Sequence, residues 1–133
     1  MDSNAINPSY YTQGFEFGEC RCIIVIRELP FSLGSAVKYI WRAGDKDEVP
    51  QEIEKARWYI TDARTHPRVT PAMQERALTV LGMIKTDNLS QGQLCRLFII
   101  QNLIGGDYEK ALSHINKLNV ILQEQHNRGD NNE

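Results

Sequence analysis

Lys38 and Arg42 stand four residues apart in a stretch whose pattern is helical, so they share one face. Two like charges stacked in that way repel by about a few tenths of a kcal/mol, and a helix gains nothing from them alone. They make sense opposite something acidic, either carboxylates of the same chain or the phosphate of a ligand. The surrounding sequence supplies Asp45, Asp47, Glu48, Glu52, Arg57 and Tyr59. Tyr39, Trp41, Trp58 and Tyr59 are flat enough to stack on a base, and equally suited to packing between helices. A solvated surface laced with ion pairs is the other account of the same charges.

Other chemistries lack their residues. The chain has no Gly-x-x-x-x-Gly-Lys-Ser/Thr loop, no His-Glu-x-x-His and no Gly-x-Ser-x-Gly. Ser32 and Ser35 have no histidine close in sequence. Cys20 and Cys22 form a Cys-x-Cys pair, but His66, His114 and His126 are not at finger-like spacing from them, which argues against a structural zinc. Three cysteines without a secretion signal predict reduced thiols.

These residues must be carried by a chain of 133 residues, enough for one domain with a real core. An apolar fraction of 41% and a charged fraction of 24% fit a globular protein. A net charge of −2 gives no basic field, which disfavours a non-specific nucleic-acid binder. No apolar run is long enough to span a membrane, and the start has neither a basic nor an apolar leader region. A cytoplasmic location is therefore expected.

Residues 1–16, rich in Asn, Ser, Tyr and Gly, read as an extended arm laid on the domain by Tyr10, Tyr11, Phe15 and Phe17. A first helix is expected over Glu19 to Leu29, with Cys22, Ile23, Ile26 and Leu29 inward and Pro30 ending it; the run of Cys22 to Ile26 also fits a buried strand. A second is expected over Ser32 to Ala43, with Ser32 as its cap, Leu33, Ala36, Val37 and Ile40 inward, and Gly44 as its stop. Pro50 fits the first turn of a third, favoured at that end by Glu52 and Glu54, which buries Ile53, Ala56 and Ile60 and closes at His66-Pro67. Thr70-Pro71 opens a fourth. Ser90 caps a fifth, whose Leu94, Leu97, Phe98 and Leu103 make it apolar around much of its circumference. After Gly105-Gly106, Asp107 caps the last helix, and the polar tail from Gln125 is expected to fray. The sum is an all-α, compact bundle of five to six helices with an extended N-terminal arm: a core over residues 17–66, further helices over 67–124 packed on it as one domain, and a flexible tail over 125–133.

Several blocks occur in a fixed order: Asn7-Pro8-Ser9-Tyr10-Tyr11, Glu19-Cys20, Leu33-Gly34-Ser35-Ala36-Val37-Lys38-Tyr39-Ile40-Trp41-Arg42-Ala43-Gly44, and Ile53-Glu54-Lys55-Ala56-Arg57-Trp58-Tyr59-Ile60. Over about residues 7 to 63 the chain resembles a family of small phage-encoded proteins often described as nucleotide kinases, to which the SaV proteins of lactococcal phages look related. The resemblance implies a phage or prophage origin, a bacterial host cytoplasm, and transfer of phosphate from ATP to a nucleoside monophosphate without a P-loop. Carried over by position, it implies nucleotide binding by Ser9, Tyr10, Tyr39 and Tyr59; Tyr10 or Trp41 would face the base, and Arg57 of the polar cluster is a further nucleotide-binding candidate. Lys38 and Arg42 would act on phosphate oxygens as the catalytic pair, since phosphoryl transfer is largely positioning and charge stabilisation. Asp45 or Asp47 would hold Mg2+. The chain departs from the family pattern in having Ser35 in place of Asn and Asp45 in place of a basic residue. Acids found on the relatives' Glu-Cys helix fall here on Cys22 or Ile24 and on Arg27 or a neighbour.

Two functions follow as expectations. One is a nucleotide-binding protein, in its enzymatic form a nucleoside monophosphate kinase. The alternative is a non-enzymatic phage accessory protein that binds a host or phage protein, favoured by the missing acids and by the extra apolar helices after Val69. A DNA-binding regulator is disfavoured, because the last helix offers only Lys110, Lys117 and Arg128. The many-sided apolar fifth helix would also suit a homo-oligomer.

Overall fold

A computed structural model describes residue 17, residues 21–45 and residues 48–131, with side chains to residue 127. The expected arm over 1–16, and with it Ser9 and Tyr10, lies outside the described residues, as does Asp47. Six helices follow in order: α1 Cys22–Ile26, α2 Phe31–Arg42, α3 Val49–Thr65, α4 Pro71–Leu81, α5 Gln91–Gly105 and α6 Tyr108–Asn131. No strand occurs among the described residues, so the run Cys22 to Ile26 resolves as helix. None of these helices is long and apolar enough to cross a membrane.

The architecture is two helix pairs laid on one another. α2 packs along α3 and α5 along α6, each pair joined by a short connection; α2 then lies on α5, and α3 on α6. α1 and α4 pack on each other, α1 against α2 and α4 against α5. The shared interior is aliphatic: Leu33, Val37 and Ile40 meet Ile60 from α3, Ile99, Ile100, Leu103 and Ile104 from α5, and Ile115 and Leu118 from α6. Branched aliphatic side chains stacked at helical spacing account for the burial that drives the fold.

Local signals set most boundaries. The Thr70 hydroxyl accepts from the Met73 amide at 3.2 Å, and Ser90 with Gln93 forms a reciprocal capping box. The Asp107 carboxylate accepts from the Lys110 amide at 3.1 Å. Gly44 and Gly106 have φ of 90° and 93°, the left-handed conformation that stops α2 and α5 and that other residues adopt only with strain.

Four expectations change. Ser32 does not cap α2: the cap position is Pro30, without a side-chain bond, because Ser32 already lies in the helix and its hydroxyl donates to Asp62 on α3. α1 is little more than one turn and buries Ile24 and Val25, leaving Ile23 exposed; with so few residues, contact with α2 and α4 decides its register rather than its own period. α5 turns Cys95, Ile99, Ile100, Leu103 and Ile104 inward and leaves Leu94 and Phe98 exposed, since a helix apolar on every side carries no stripe to orient it. α6 continues to Asn131 instead of ending near residue 124, because Gln, Glu and His extend a helix already nucleated by packing.

Candidate functional site

α2 and α3 present their polar edges side by side, and the residues singled out in the sequence divide between two sides of that pair. Tyr39 is the hub of the first. Its ring stacks on Tyr59 from α3, centroids 5.7 Å apart and planes 13° from parallel. Three cations lie against the same ring: the Arg42 guanidinium at 4.9 Å from the centroid, Lys38 Nζ at 5.1 Å and Lys55 Nζ at 5.5 Å. The electron-rich ring face attracts each of them, which offsets part of the mutual repulsion that the spacing of Lys38 and Arg42 implies.

The remaining compensation is Glu52. Its carboxylate is 0% exposed and is the one charged group in the core among the described residues. Arg42 Nε donates to Glu52 Oε1 at 3.1 Å, and Lys55 Nζ lies 3.6 Å from Oε2. Only the Nε edge of Arg42 is used. Among the described residues its terminal nitrogens have no partner, and the side chain is still 29% exposed. Among the described residues Glu52 Oε2 receives no hydrogen bond, but has the longer approach of Lys55. One buried negative charge thus holds two cations in place, with Lys38 as a third nearby. Lys38 is exposed and has no carboxylate partner among the described residues.

Aromatic side chains continue outward from this cluster. Trp58 and Phe31 both meet Tyr59 edge-on, with centroids 5.1 Å and 5.9 Å from it. They are 63% and 77% exposed, far more than packing alone calls for in rings of that size. The outcome is a strip of four rings, Phe31, Trp58, Tyr59 and Tyr39, ending at three cations.

Other candidates lie elsewhere. Trp41, about 160° around α2 from Tyr39, stacks on Phe17 with centroids 5.1 Å apart and takes no part in the cluster. Arg57 turns to α6, where it donates to Asn116, and it pairs with Glu54 at 4.0 Å. Asp45 is exposed past Gly44; its field bears on Arg96 of α5. No group of three or more His, Cys, Asp or Glu side chains among the described residues is placed to hold a metal ion.

Arg96 is the residue the sequence did not flag. From α5 it donates to the carbonyls of Ile40, Trp41 and Ala43 at 3.1, 2.7 and 2.9 Å, closing the end of α2 just where Arg42 emerges. Burial pulls its guanidinium below its ordinary value, against the raising effect of Asp45. A lone arginine within Leu94-Cys95-Arg96-Leu97-Phe98 was the available signal: a charge on an apolar helix has to find partners. Lys55 carried a weaker one, three residues from Glu52 on the same helix.

A second polar group occupies the other end of α2. Asp62 accepts from the Ser32 hydroxyl and has His66 Nδ1 at 3.5 Å from its Oδ1. The carboxylate sits between the two, so Ser32 donates to an acid rather than to an imidazole, and the order is not that of a hydrolytic triad.

Residues 7–61 match the model of a family described as a protein of unknown function (DUF3310). The span takes in α1, α2 and most of α3, hence Lys38, Arg42, Glu52, Lys55 and Tyr59, and stops short of Asp62 and Arg96. No curated protein and no solved structure matches the chain. The family description names no activity, so the match marks a shared segment of chain and leaves its chemistry to be argued from the geometry.

Proposed function

We propose that the protein binds nucleotides on the α2–α3 face, with phosphate at Lys38, Arg42 and Lys55 and the base against the exposed rings of Trp58 and Phe31. The observation that carries this reading is the use Glu52 makes of Arg42. By taking Nε, it holds the guanidinium over Tyr39, and among the described residues the terminal fork has no partner; a planar fork suits phosphate oxygens. Three cations, Lys38, Arg42 and Lys55, gather at one aromatic ring in a chain that is acidic as a whole. Magnesium enters as the companion of a bound polyphosphate, with Asp45 at that end of α2. The enzymatic form of the proposal is phosphate transfer from ATP to a nucleoside monophosphate; a phage origin and a host cytoplasm belong to the same reading.

The same exposed Phe31 and Trp58 would also anchor a protein partner, as large aromatics do at interfaces. That is the specific support for the second reading, a non-enzymatic phage accessory protein.

A thermal-shift screen with nucleoside mono-, di- and triphosphates, with and without Mg2+, tests the first reading. A ligand at a hundred times its Kd raises stability by about 2.7 kcal/mol. Lys38→Ala with Lys55→Ala is the informative variant, because Arg42→Ala would strand the buried Glu52 and confuse binding with folding. A shift lost in that variant supports the proposal. If no nucleotide shifts the wild type, the nucleotide reading fails and the protein-partner reading takes its place.

A further inference from the structure

The last turn of α4 and the middle of α5 leave between them a pocket of about 250 Å³. Leu78 and Leu81 line it from α4, Ile84 from the chain just beyond, and Leu97 from α5. Leu81 and Ile84 are buried and Leu78 and Leu97 half-buried, whereas Gly82, Thr86 and Gln101 are exposed and mark its mouth. No residue of the α2–α3 face lines it, and it lies wholly beyond residue 61, where the family match ends.

The lining carries no charged side chain, in a chain of which 24% of the residues are charged. A charged ligand would lose hydration on entry and meet no counter-charge. The two polar side chains, Thr86 and Gln101, come from opposite sides, and neither has a hydrogen-bond partner among the described residues. A hydroxyl and a primary amide both donate and accept, so they suit a head group that does the same. Gly82 leaves the mouth open. Its φ of −67° is one that any residue adopts, so the backbone does not call for glycine there. Beyond the carbonyls of its own helix at Leu78 and Thr79, nothing stands within 4 Å of the position a Cβ would take. An apolar cavity of about 150 Å³ is enough to hold benzene, so this pocket has room for a ring with a substituent.

We infer that the α4–α5 pocket is a binding site for a small neutral molecule with an apolar body and a single hydroxyl or amide head, a phenol being the simplest example. The body lies against Leu78, Leu81, Ile84 and Leu97, and the head meets Gln101 and Thr86. The inference does not rest on the nucleotide reading, with which it shares no residue.

Titration of the full chain with para-cresol, toluene and para-toluate, followed by amide chemical shifts, tests it. The three share a ring and a methyl group and differ in the head: a hydroxyl, none, and a carboxylate. para-Cresol is expected to shift amides of residues 78–86 and 97–101 while those of α2 and α3 stay in place. It is expected to bind about fivefold or more tightly than either of the others, the hydroxyl gaining what a hydrogen bond to an uncharged partner contributes. Gln101→Ala, at an exposed side chain the fold does not use, is expected to remove most of the preference for para-cresol over toluene. The inference is overturned if para-cresol shifts no amide along the pocket, if its shifts lie only on another face, or if toluene or para-toluate binds as tightly. It is also overturned if Gln101→Ala leaves the preference unchanged.

Discussion

Glu52 and Arg42 meet at 3.1 Å with the carboxylate fully withdrawn from solvent. The pair joins the end of the first turn of α3 to the last residue of α2, so it fixes the start of one helix against the end of the other. Glu52→Ala would leave Arg42 partly buried without its partner. A loss of about 2 kcal/mol is expected, measured by urea unfolding, with Glu52→Gln intermediate because it keeps an acceptor for Nε. An unchanged midpoint for Glu52→Ala would mean that the pair contributes nothing to the fold.

Arg96→Ala removes three charge-assisted bonds to the end of α2. The expected cost is on the order of 3 kcal/mol, since two or more carbonyls are left half-buried and unpaired. Arg96→Lys is expected to recover less than half of it, as an ammonium cannot span Ile40 and Ala43 in the way a planar fork does. Hydrogen exchange of the α2 amides provides the local readout: protection near Ile40 falls in both variants while α6 is unaffected.

Phe31 and Trp58 separate surface from core. Both are exposed, so Phe31→Ala and Trp58→Ala are each expected to shift stability by about 0.5 kcal/mol or less. If the α2–α3 face stacks a base, the same substitutions weaken nucleotide binding by about 1–3 kcal/mol. Paired thermal melts and titrations check both halves. A fall in stability without a fall in affinity would assign these rings to packing.

Burial pushes both the Cys95 thiol and the Tyr108 hydroxyl above their ordinary values. At alkaline pH the folded chain therefore binds more protons than the unfolded chain, and stability falls as pH rises. The Cys95 contribution is fully present below pH 9.0 and is lost as pH rises through the higher folded value. Cys95→Ala is expected to flatten the alkaline branch of a denaturation profile between pH 8 and 10, whatever it costs at neutral pH. The same thiol, buried and 3.8 Å from the His114 carbonyl, is expected to alkylate more slowly than the half-buried Cys22.

Where the sequence was legible, a local rule and the tertiary structure agreed. Gly44, Thr70, Ser90 and Asp107 act at their own chain ends, and each boundary could be read from a few neighbours. Lys38, Arg42, Tyr39 and Tyr59 came together because helical spacing already set the first three on adjacent rows of one helix. Arg57 and Trp41 did not join them: spacing gives a direction around a helix, not which neighbour stands there, and α6 and Phe17 claimed those two. Arg96 was illegible for a related reason. Its partners lie on another helix, and no period along the chain encodes a contact between Arg96 and a carbonyl more than fifty residues earlier. The inward face of α5 was hidden by an excess of signal, since Leu94 and Phe98 are as apolar as Ile99 and Ile100.

The contact between Arg96 and the end of α2 also bears on what counts as a unit of this protein. The family-matching segment ends at residue 61, yet the carbonyls that finish its central helix are satisfied from residue 96. The segment is thus not self-sufficient: its own last turn is completed by a side chain it does not contain. A relative confined to that span would need a substitute there, whether water, a different turn or an arginine lent by a second polypeptide. Grafting the segment into another scaffold would succeed or fail on whether the host satisfies the carbonyls at that one spot.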